Sequence, residues 1–357
     1  DSVKRLKYQV DQTAGTQYLS LVSKKRNPKG AFDVLVSLGA WDKHENLPLL
    51  RSGFPIRFTP KEEEAAVTAS MNTRDPDAIL GLRRDFRREK VYTIDSASTV
   101  EIDDGLSLEV VSNEDGSTRQ RFWIHIADAD RWAPRDSEAF QVAARRATSL
   151  YLPSGTIPML PSILSSGKMS LKANSDVCAL SIAAELSPDG SIDSSSIVLT
   201  PSLIRVSYRL SYDEVDDMLE EGVGYSEEWQ LGAMLAAANK RRSYRMNNGS
   251  SEAMIPYPIP YSTVSTVVDK DAPDGVGIKV TVEVSHNAGK NQTANAERGT
   301  LPTGNDHAAP ASPAFMLVTE MMIMAGEAVG KWKAAMEAKQ DDVVNGDVNM
   351  IRNTLKL

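Results

Sequence analysis

Four carboxylates fall within ten residues of the chain, between two stretches that have the pattern of β-strands: Asp95, Glu101, Asp103 and Asp104. Like charges a few ångströms apart do not all stay ionised without a counter-charge. The usual counter-charge for an all-oxygen set is a hard divalent cation, Mg²⁺ or Mn²⁺, which serves phosphate chemistry when waters complete its shell. A solvated acidic turn is the alternative, and both interpretations stay open at this point.

The segments that follow the acidic stretch are predicted to form an antiparallel hairpin. Apolar residues alternate with others over 106–110 and again over 122–126, on either side of the turn SNEDGST. In such a hairpin the start of the first strand lies beside the end of the second. We therefore expect Asp103–Asp104 to lie near Asp128 and Asp130, so that five or six carboxylates gather at one end of a sheet.

Three segments resemble one known family, in the family's order and at similar spacing. The first, TIDSASTVEIDD at 93–104, resembles the signature of the ribonuclease II family, the RNB domain. The others are ATSLYLPSGTIPMLPSILSSGKMSL at 147–171 and YRLSYDEV at 208–215, and the resemblance runs from about residue 30 to residue 335. Family members degrade single-stranded RNA from its 3′ end with a divalent metal and release nucleoside 5′-monophosphates. The implied fold class is α+β: an RNB-type mixed sheet with surrounding helices, truncated, after a small and mostly helical N-terminal region.

The resemblance also implies roles for the acidic residues. Asp95, Glu101, Asp103 and Asp104 are expected to hold Mg²⁺ or Mn²⁺, with Asp95, Asp103 and Asp104 catalytic and Asp103 active in readying the water. Glu101 stands where many family members carry Asp. The carboxylate is kept there but reaches one methylene further.

A second set of residues is expected to contact single-stranded RNA. Three prolines keep the segment around Tyr151 out of regular helix, which predicts a rigid exposed loop that presents the ring for stacking on a base. Tyr212 and Glu320 match RNA-contacting positions of the family. Arg145 and Arg146 lie on a predicted helix flank and are expected to meet phosphate. Packing tyrosines and solvated arginines are the alternatives.

Composition narrows the class of protein. The chain has 357 residues, 41% of them hydrophobic, with a net charge of −8, which argues against a generally basic nucleic-acid coat. The single cysteine, Cys178, sits in an apolar run and is expected to be a buried thiol in a reducing compartment. The longest apolar stretch, FMLVTEMMIMAGEAV, is interrupted by Glu320 and Glu327, so no membrane association is expected. A monomer is expected.

Three regions follow from the pattern: a helical N-terminal region at 1–80, an incomplete RNB catalytic domain at 81–338 and an unmatched tail at 339–357. Two short helices followed by a Pro-bounded strand, FPIRF, are compatible with a helix-turn-helix-like module and equally with a helical lead-in packed on the main domain, and both interpretations stay open. The stretch 286–313 is rich in Gly, Pro and Asn and is predicted to be disordered.

The resemblance leaves the activity open. The SPIRRY-type segment, whose arginine is thought to steady the transition state in the family, is absent from the sequence. We therefore expect the chain alone to be at best a feeble nuclease and to be a fragment of an exoribonuclease. The alternatives are a catalytically inactive, truncated RNB-like RNA-binding protein, and a metal-binding domain with no RNA role. The amino-acid sequences of the motifs are most similar to those of organellar and cyanobacterial members of the family. This resemblance suggests that the protein is located in the plastid or mitochondrion, with the cytoplasm as the alternative.

Overall fold

The computed structural model describes residues 15, 17–22, 24–71, 79–221, 228–249, 262–268, 277–284 and 312–354. The chain divides into two compact units. The first comprises Asp1–Ile56 and Val268–Lys279, and the second comprises Arg57–Val267 and Val280–Leu357.

The described residues of the first unit include two short helices, α1 (Pro28–Ser37) and α2 (Leu47–Ser52), whose ends are set by local chemistry. Asn27 caps α1, because its side-chain oxygen accepts the N–H of Gly30 at 2.8 Å, and a proline opens each helix. The two predicted helices are confirmed. The predicted strand FPIRF is wrong: residues 54–58 form no strand, and the proline in this segment lacks the N–H that a ladder would need.

The second unit is built on a closed five-stranded β-barrel with the order β1-β2-β3-β6-β7. Its strands are β1 (Arg84–Asp95), β2 (Asp104–Ser112), β3 (Thr118–Ala127), β6 (Asp176–Glu185) and β7 (Val198–Ser211). Neighbours pair antiparallel except β1 and β7, which close the barrel in parallel. The hairpin predicted after the acidic stretch, β2–β3, is therefore confirmed, and β6–β7 form a second antiparallel pair.

Two further strand pairs lie outside the barrel: β4 (Leu150–Leu152) with β5 (Gly155–Ile157), and β8 (Ser262–Val268) with β9 (Ile278–Val284). The predicted disordered stretch 286–313 lies outside the described residues, apart from its last two.

Alternation along the strands separates the barrel interior from its outer face. On β3, Trp123 belongs to an interior apolar cluster that also contains Phe86 and Ile204. Its neighbours Phe122 and Ile124 point the other way and join a second cluster shared with the helices. The barrel thus has a filled interior and an outer face that helices cover.

The helices of this unit are α3 (Pro60–Met71), α4 (Glu138–Arg146), α5 (Tyr212–Glu221), α6 (Trp229–Asn247) and α7 (Pro313–Thr354). Ser137 caps α4, and Ser211 and Glu214 form a reciprocal cap on α5 with bonds of 2.7 and 3.2 Å. Buried side chains of α5, α6 and the first half of α7 join the cluster on the outer face of the barrel. The predicted tail does not begin a new element, because α7 continues through it to Thr354.

One segment of α7, Pro313–Ala338, is long and apolar enough to cross a membrane by length and composition alone. Half of its most apolar window is buried inside the protein, and core helices pass the same test. Leu317 and Met321 lie in the cluster on the barrel's outer face. The packing gives this part of the helix a place in the core.

A buried polar chain crosses the barrel interior. The ring nitrogens of His125 lie 2.9 Å from Ser107 Oγ and 2.7 Å from Ser181 Oγ, and Ser181 Oγ lies 2.6 Å from Ser202 Oγ. Because His125 is fully buried, desolvation lowers its pKa to about 3. The imidazole is therefore neutral at physiological pH.

Candidate active site

The strand ends bring the acidic residues to one end of the barrel. Asp95 is the last residue of β1 and Asp104 is the first of β2, and the two strands run antiparallel, with Tyr92 opposite Leu106. The connecting loop, 96–103, carries Glu101 and Asp103. Because β7 runs parallel to β1 and pairs Ser211 with Asp95, the start of α5 reaches the same end.

The carboxylates perturb one another. Desolvation, followed by the charges of Asp104 and Asp103, raises the pKa of Asp95 to about 7. Desolvation and the charge of Asp103 raise the pKa of Asp104 to about 6. The pKa of Asp103 itself is raised by desolvation and by the Glu101 carboxylate. The four acidic residues therefore form one electrostatic cluster, and the Arg209 guanidinium only partly offsets its effect on Asp95.

The donor chemistry of this cluster fits a hard divalent cation. Asp95 Oδ2 is buried and has no hydrogen-bond partner within the protein, so this oxygen is available to coordinate a cation. All the donors are carboxylate oxygens, the type that Mg²⁺ and Mn²⁺ prefer. Among the described residues, however, no three His, Cys, Asp or Glu side chains form a ready metal cage. The metal-binding role of Asp95, Glu101, Asp103 and Asp104 stays a prediction.

The hairpin prediction is confirmed for the backbone, while the nearness of the Asp128 and Asp130 carboxylates to the cluster stays a prediction. The N–H of Ala127 donates to the C=O of Asp103 at 2.8 Å, so the end of β3 lies beside the acidic loop as expected. The Asp128 carboxylate is instead held by the buried Arg83 guanidinium at 2.5 Å. Since that ion pair neutralises Asp128, it adds no uncompensated charge to the cluster. Arg83 belongs to the basic run LRRDFRREK at 82–90, whose local pattern fits a solvated face as well as a phosphate contact, so the sequence alone does not indicate that this arginine is buried.

Tyr151 lies on the β4–β5 hairpin beside the acidic cluster. Its side chain is 75% exposed, which confirms the predicted exposed segment, although the segment is a short hairpin rather than an irregular loop. Desolvation, then the charges of Glu101, Asp103 and Asp95, raise the pKa of the Tyr151 hydroxyl. The structure therefore places this ring within electrostatic reach of the carboxylates.

Tyr212 opens α5 at the same end of the barrel. Its ring packs on Phe315 of α7, with centroids 5.5 Å apart, and its side chain is half-buried. The position by the carboxylates agrees with the sequence-based expectation. Its contact with RNA stays a prediction.

Three other expected RNA contacts have structural roles. Glu320 is fully buried and accepts a bond from Arg245 at 2.7 Å. Arg146 is buried, stacks on Phe58 and donates to the C=O of Arg57 at 2.8 Å. Arg145 is exposed and pairs with Glu62 at 2.9 Å. Glu320 and Arg146 are therefore engaged inside the protein in this structure, and their contact with RNA stays a prediction.

The geometry defines an α+β barrel protein with an acidic site at one end of the barrel. The chain belongs to the RNB domain family, whose profile matches residues 83–341. The profile described as "Double HTH domain" matches residues 2–47, so the helix-turn-helix prediction for the N-terminal region is confirmed.

Similar proteins agree with that assignment. An uncharacterized ribonuclease of Synechocystis sp. is 34% identical over 84% of this chain, and the chloroplastic/mitochondrial ribonuclease II of Arabidopsis thaliana is 33% identical over 66%. This chain spans 38% and 28% of the lengths of those relatives.

Solved structures share the fold. RNase R of Mycoplasma genitalium, in complex with ribose-methylated single-stranded RNA, superposes with a TM-score of 0.59 at 20% identity, over 81% of this chain and 39% of that one. Dss1 exoribonuclease of Candida glabrata gives a TM-score of 0.58 at 19% identity, over 86% of this chain and 38% of that one.

Proposed function

We propose that this chain carries the metal-binding active site of a 3′-to-5′ exoribonuclease. Its substrate is single-stranded RNA, its products are nucleoside 5′-monophosphates, and its cofactor is Mg²⁺ or Mn²⁺. Membership of the RNB domain family supports the reaction class, and the names of the relatives, ribonuclease and ribonuclease II, support the substrate.

One observation carries the proposal: a cluster of carboxylates whose charges are not compensated. The raised pKa values of Asp95, Asp103 and Asp104 show that the protein alone stabilises their ionised forms poorly. The unpartnered Asp95 Oδ2 adds an open oxygen ligand. A divalent cation supplies the missing positive charge.

The residues of the chain divide the chemistry among them. If bound by Asp95, Glu101, Asp103 and Asp104, Mg²⁺ would supply charge neutralisation at the scissile phosphate and would lower the pKa of a coordinated water. Asp95 and Asp104, on the ends of paired strands, hold fixed oxygens. Asp103 is more exposed than either, and its carboxylate accepts the proton of the attacking water. Glu101 contributes the fourth carboxylate from the loop.

The aromatic side of the site orients the substrate. Tyr151 presents an exposed ring beside the carboxylates, which suits stacking on a base near the 3′ end. Tyr212 lies at the start of α5, at the same end of the barrel. Stacking tolerates any base, so such a site accepts RNA of any sequence.

The test is the fate of a 5′-labelled single-stranded RNA incubated with the protein and Mg²⁺, with the products separated by size. Asp103→Asn is expected to lower the rate by about 10²-fold or more, because one preorganised charged group is lost from the reacting centre. Asp33→Asn, which changes an exposed aspartate on α1, is the matched control and should leave the rate unchanged. Equal rates for Asp103→Asn and the unsubstituted protein would refute the assignment.

A second candidate is an RNB-like protein that binds RNA without cleaving it. The lack of a ready metal cage among the described side chains favours it. The same experiment separates the two: stable binding of the labelled RNA with no shortening at any Mg²⁺ concentration supports the second candidate.

The proposal also covers the cellular compartment and the oligomeric state of the protein. We place the protein in plastid or mitochondrion, supported by the chloroplastic/mitochondrial relative, with cytoplasm as the alternative, and we expect a monomer. A fluorescent fusion of the full-length protein and light scattering test these two points.

A further inference from the structure

We propose that Ser170 is a positioning residue for the acidic site: its hydroxyl fixes the loop that carries Glu101 and Asp103. The inference rests on the proposed function, since the position of these carboxylates matters when they hold a cation. Ser170 touches neither the carboxylates nor a substrate. It acts through the backbone of the loop.

The contacts of Ser170 bracket Glu101. Ser170 is 1% exposed, and its Oγ accepts the N–H of Ile102 at 3.1 Å and lies 3.3 Å from the C=O of Val100, to which it donates. One hydroxyl therefore satisfies the backbone on both sides of Glu101. Because an unpaired buried N–H is costly, the path of the loop follows the position of this hydroxyl.

The segment that carries Ser170 is itself fixed. Met169 packs into an apolar cluster with residues of α3 and α4, while Leu171 packs into the barrel interior. The N–H of Leu171 also donates to the C=O of Ile102 at 2.8 Å, and Ile102 is buried in the same interior cluster. The hydroxyl is thus presented from a rigid support, which functional loops require for accurate placement.

The other side of the loop has a separate tether. Arg209 donates from Nη2 to the C=O of Thr99 at 2.5 Å, and the N–H of Thr99 donates to the C=O of Ser96 at 3.0 Å. The loop is consequently held at Thr99, Val100 and Ile102, immediately before Asp103. Among these contacts, only the Ser170 side chain forms hydrogen bonds with the backbone of both neighbours of Glu101.

The experiment uses the full chain with Mn²⁺ alone as the probe, titrated by calorimetry or by the electron paramagnetic resonance of the free ion. Ser170→Ala is expected to weaken Mn²⁺ binding about 10- to 100-fold, the usual effect of removing a group that orients metal ligands. Ser170→Thr keeps the hydroxyl and should restore most of the affinity. Ser175→Ala is the matched control, because that hydroxyl donates to the C=O of Lys172, outside the acidic loop.

A second measurement reads the tether without metal. Amide hydrogen exchange at Ile102 should be faster in Ser170→Ala and should return toward the original rate in Ser170→Thr. If Ser170→Ala does not fold, Ser170→Cys keeps nearly the same volume with weaker hydrogen bonds and gives the same comparison.

Each outcome of these measurements either supports or overturns the positioning role of Ser170. Unchanged Mn²⁺ affinity in Ser170→Ala overturns the positioning role. A loss of affinity that Ser170→Thr does not restore, together with a lower melting temperature, assigns Ser170 to packing and also overturns it. If the unsubstituted protein binds no Mn²⁺, the proposed function fails instead, and exchange at Ile102 alone then supports or overturns the tether.

Discussion

Tyr151 is an exposed aromatic residue beside a carboxylate cluster, and exposure without a packing role makes its substitution informative. Tyr151→Ala is expected to weaken binding of single-stranded RNA by about 1–3 kcal/mol, the usual contribution of one stacked base. Because the residue is 75% exposed, the melting temperature should change little. Fluorescence anisotropy with a labelled oligonucleotide measures the affinity.

The matched control for that substitution is Tyr151→Phe, which keeps the ring and removes the hydroxyl. It should bind RNA nearly as well as the unsubstituted protein, because stacking uses the ring face. Unchanged affinity in the alanine variant would mean that the ring does not meet a base.

At the scale of secondary-structure elements, the buried His125 links the barrel strands to pH. The pKa of His125 in the folded protein, about 3, lies below the ordinary value of 6.5. Between these two pH values His125 is therefore protonated in the unfolded chain and neutral in the folded barrel. The contribution of His125 to the free energy of unfolding is therefore fully present above pH 6.5. It is lost as the pH falls, by about 1.4 kcal/mol per pH unit until pH approaches the folded pKa.

His125→Gln removes the titrating group. The slope of the free energy of unfolding against pH, between neutral pH and pH 4.5, is therefore expected to fall by the equivalent of one bound proton. Urea unfolding at several pH values measures it. The variant should be less stable at neutral pH, because the imidazole contacts Phe86 and Trp123, and the difference should narrow as the pH falls. The carboxylates contribute equally to both proteins. Two parallel profiles would contradict the assignment.

The contact between α6 and α7 includes a buried ion pair, Arg245 with Glu320. Glu320→Ala should lower the free energy of unfolding by about 3–5 kcal/mol, because the largely buried Arg245 guanidinium then loses the Glu320 carboxylate. The double variant Arg245→Met/Glu320→Met should lose much less, since no buried charge remains. Urea unfolding of Arg245→Met, Glu320→Met and the double variant completes the double-mutant cycle. Weaker RNA binding with unchanged stability in Glu320→Ala would instead support the RNA contact expected from the sequence.

The sequence predicted elements better than side-chain partners, for a physical reason. Alternation and turn residues are local, so they located the β2–β3 hairpin and with it the loop of Asp103. The partners of Asp128, Glu320 and Arg146 are set by segments distant in the chain. A charged residue on a strand or helix face has the same local pattern whether it is solvated or paired in the interior, as Arg83 illustrates.

At the scale of the whole molecule, a net charge of −8 limits how the proposed RNA substrate would be bound. In the second unit, many of the arginines that the structure describes already form ion pairs with acidic side chains: Arg83, Arg84, Arg87, Arg119, Arg121, Arg145, Arg205, Arg241 and Arg245. While they hold these partners, the paired arginines are less available to neutralise phosphates. Affinity must then come from local stacking and from the site itself.

We therefore predict a shallow salt dependence for RNA binding. Each phosphate neutralised on a single strand contributes about −0.7 to the slope of log affinity against log salt, so a site with about three such contacts gives a slope of about −2. The measurement is anisotropy of a labelled single-stranded RNA between about 50 and about 200 mM salt, with Mg²⁺ omitted to prevent cleavage. A DNA oligonucleotide of the same sequence is the control, and it should bind more weakly if the site reads 2′-hydroxyl groups. A slope steeper than about −5 would show that a broad basic surface, rather than the acidic barrel end and its tyrosines, supplies the affinity.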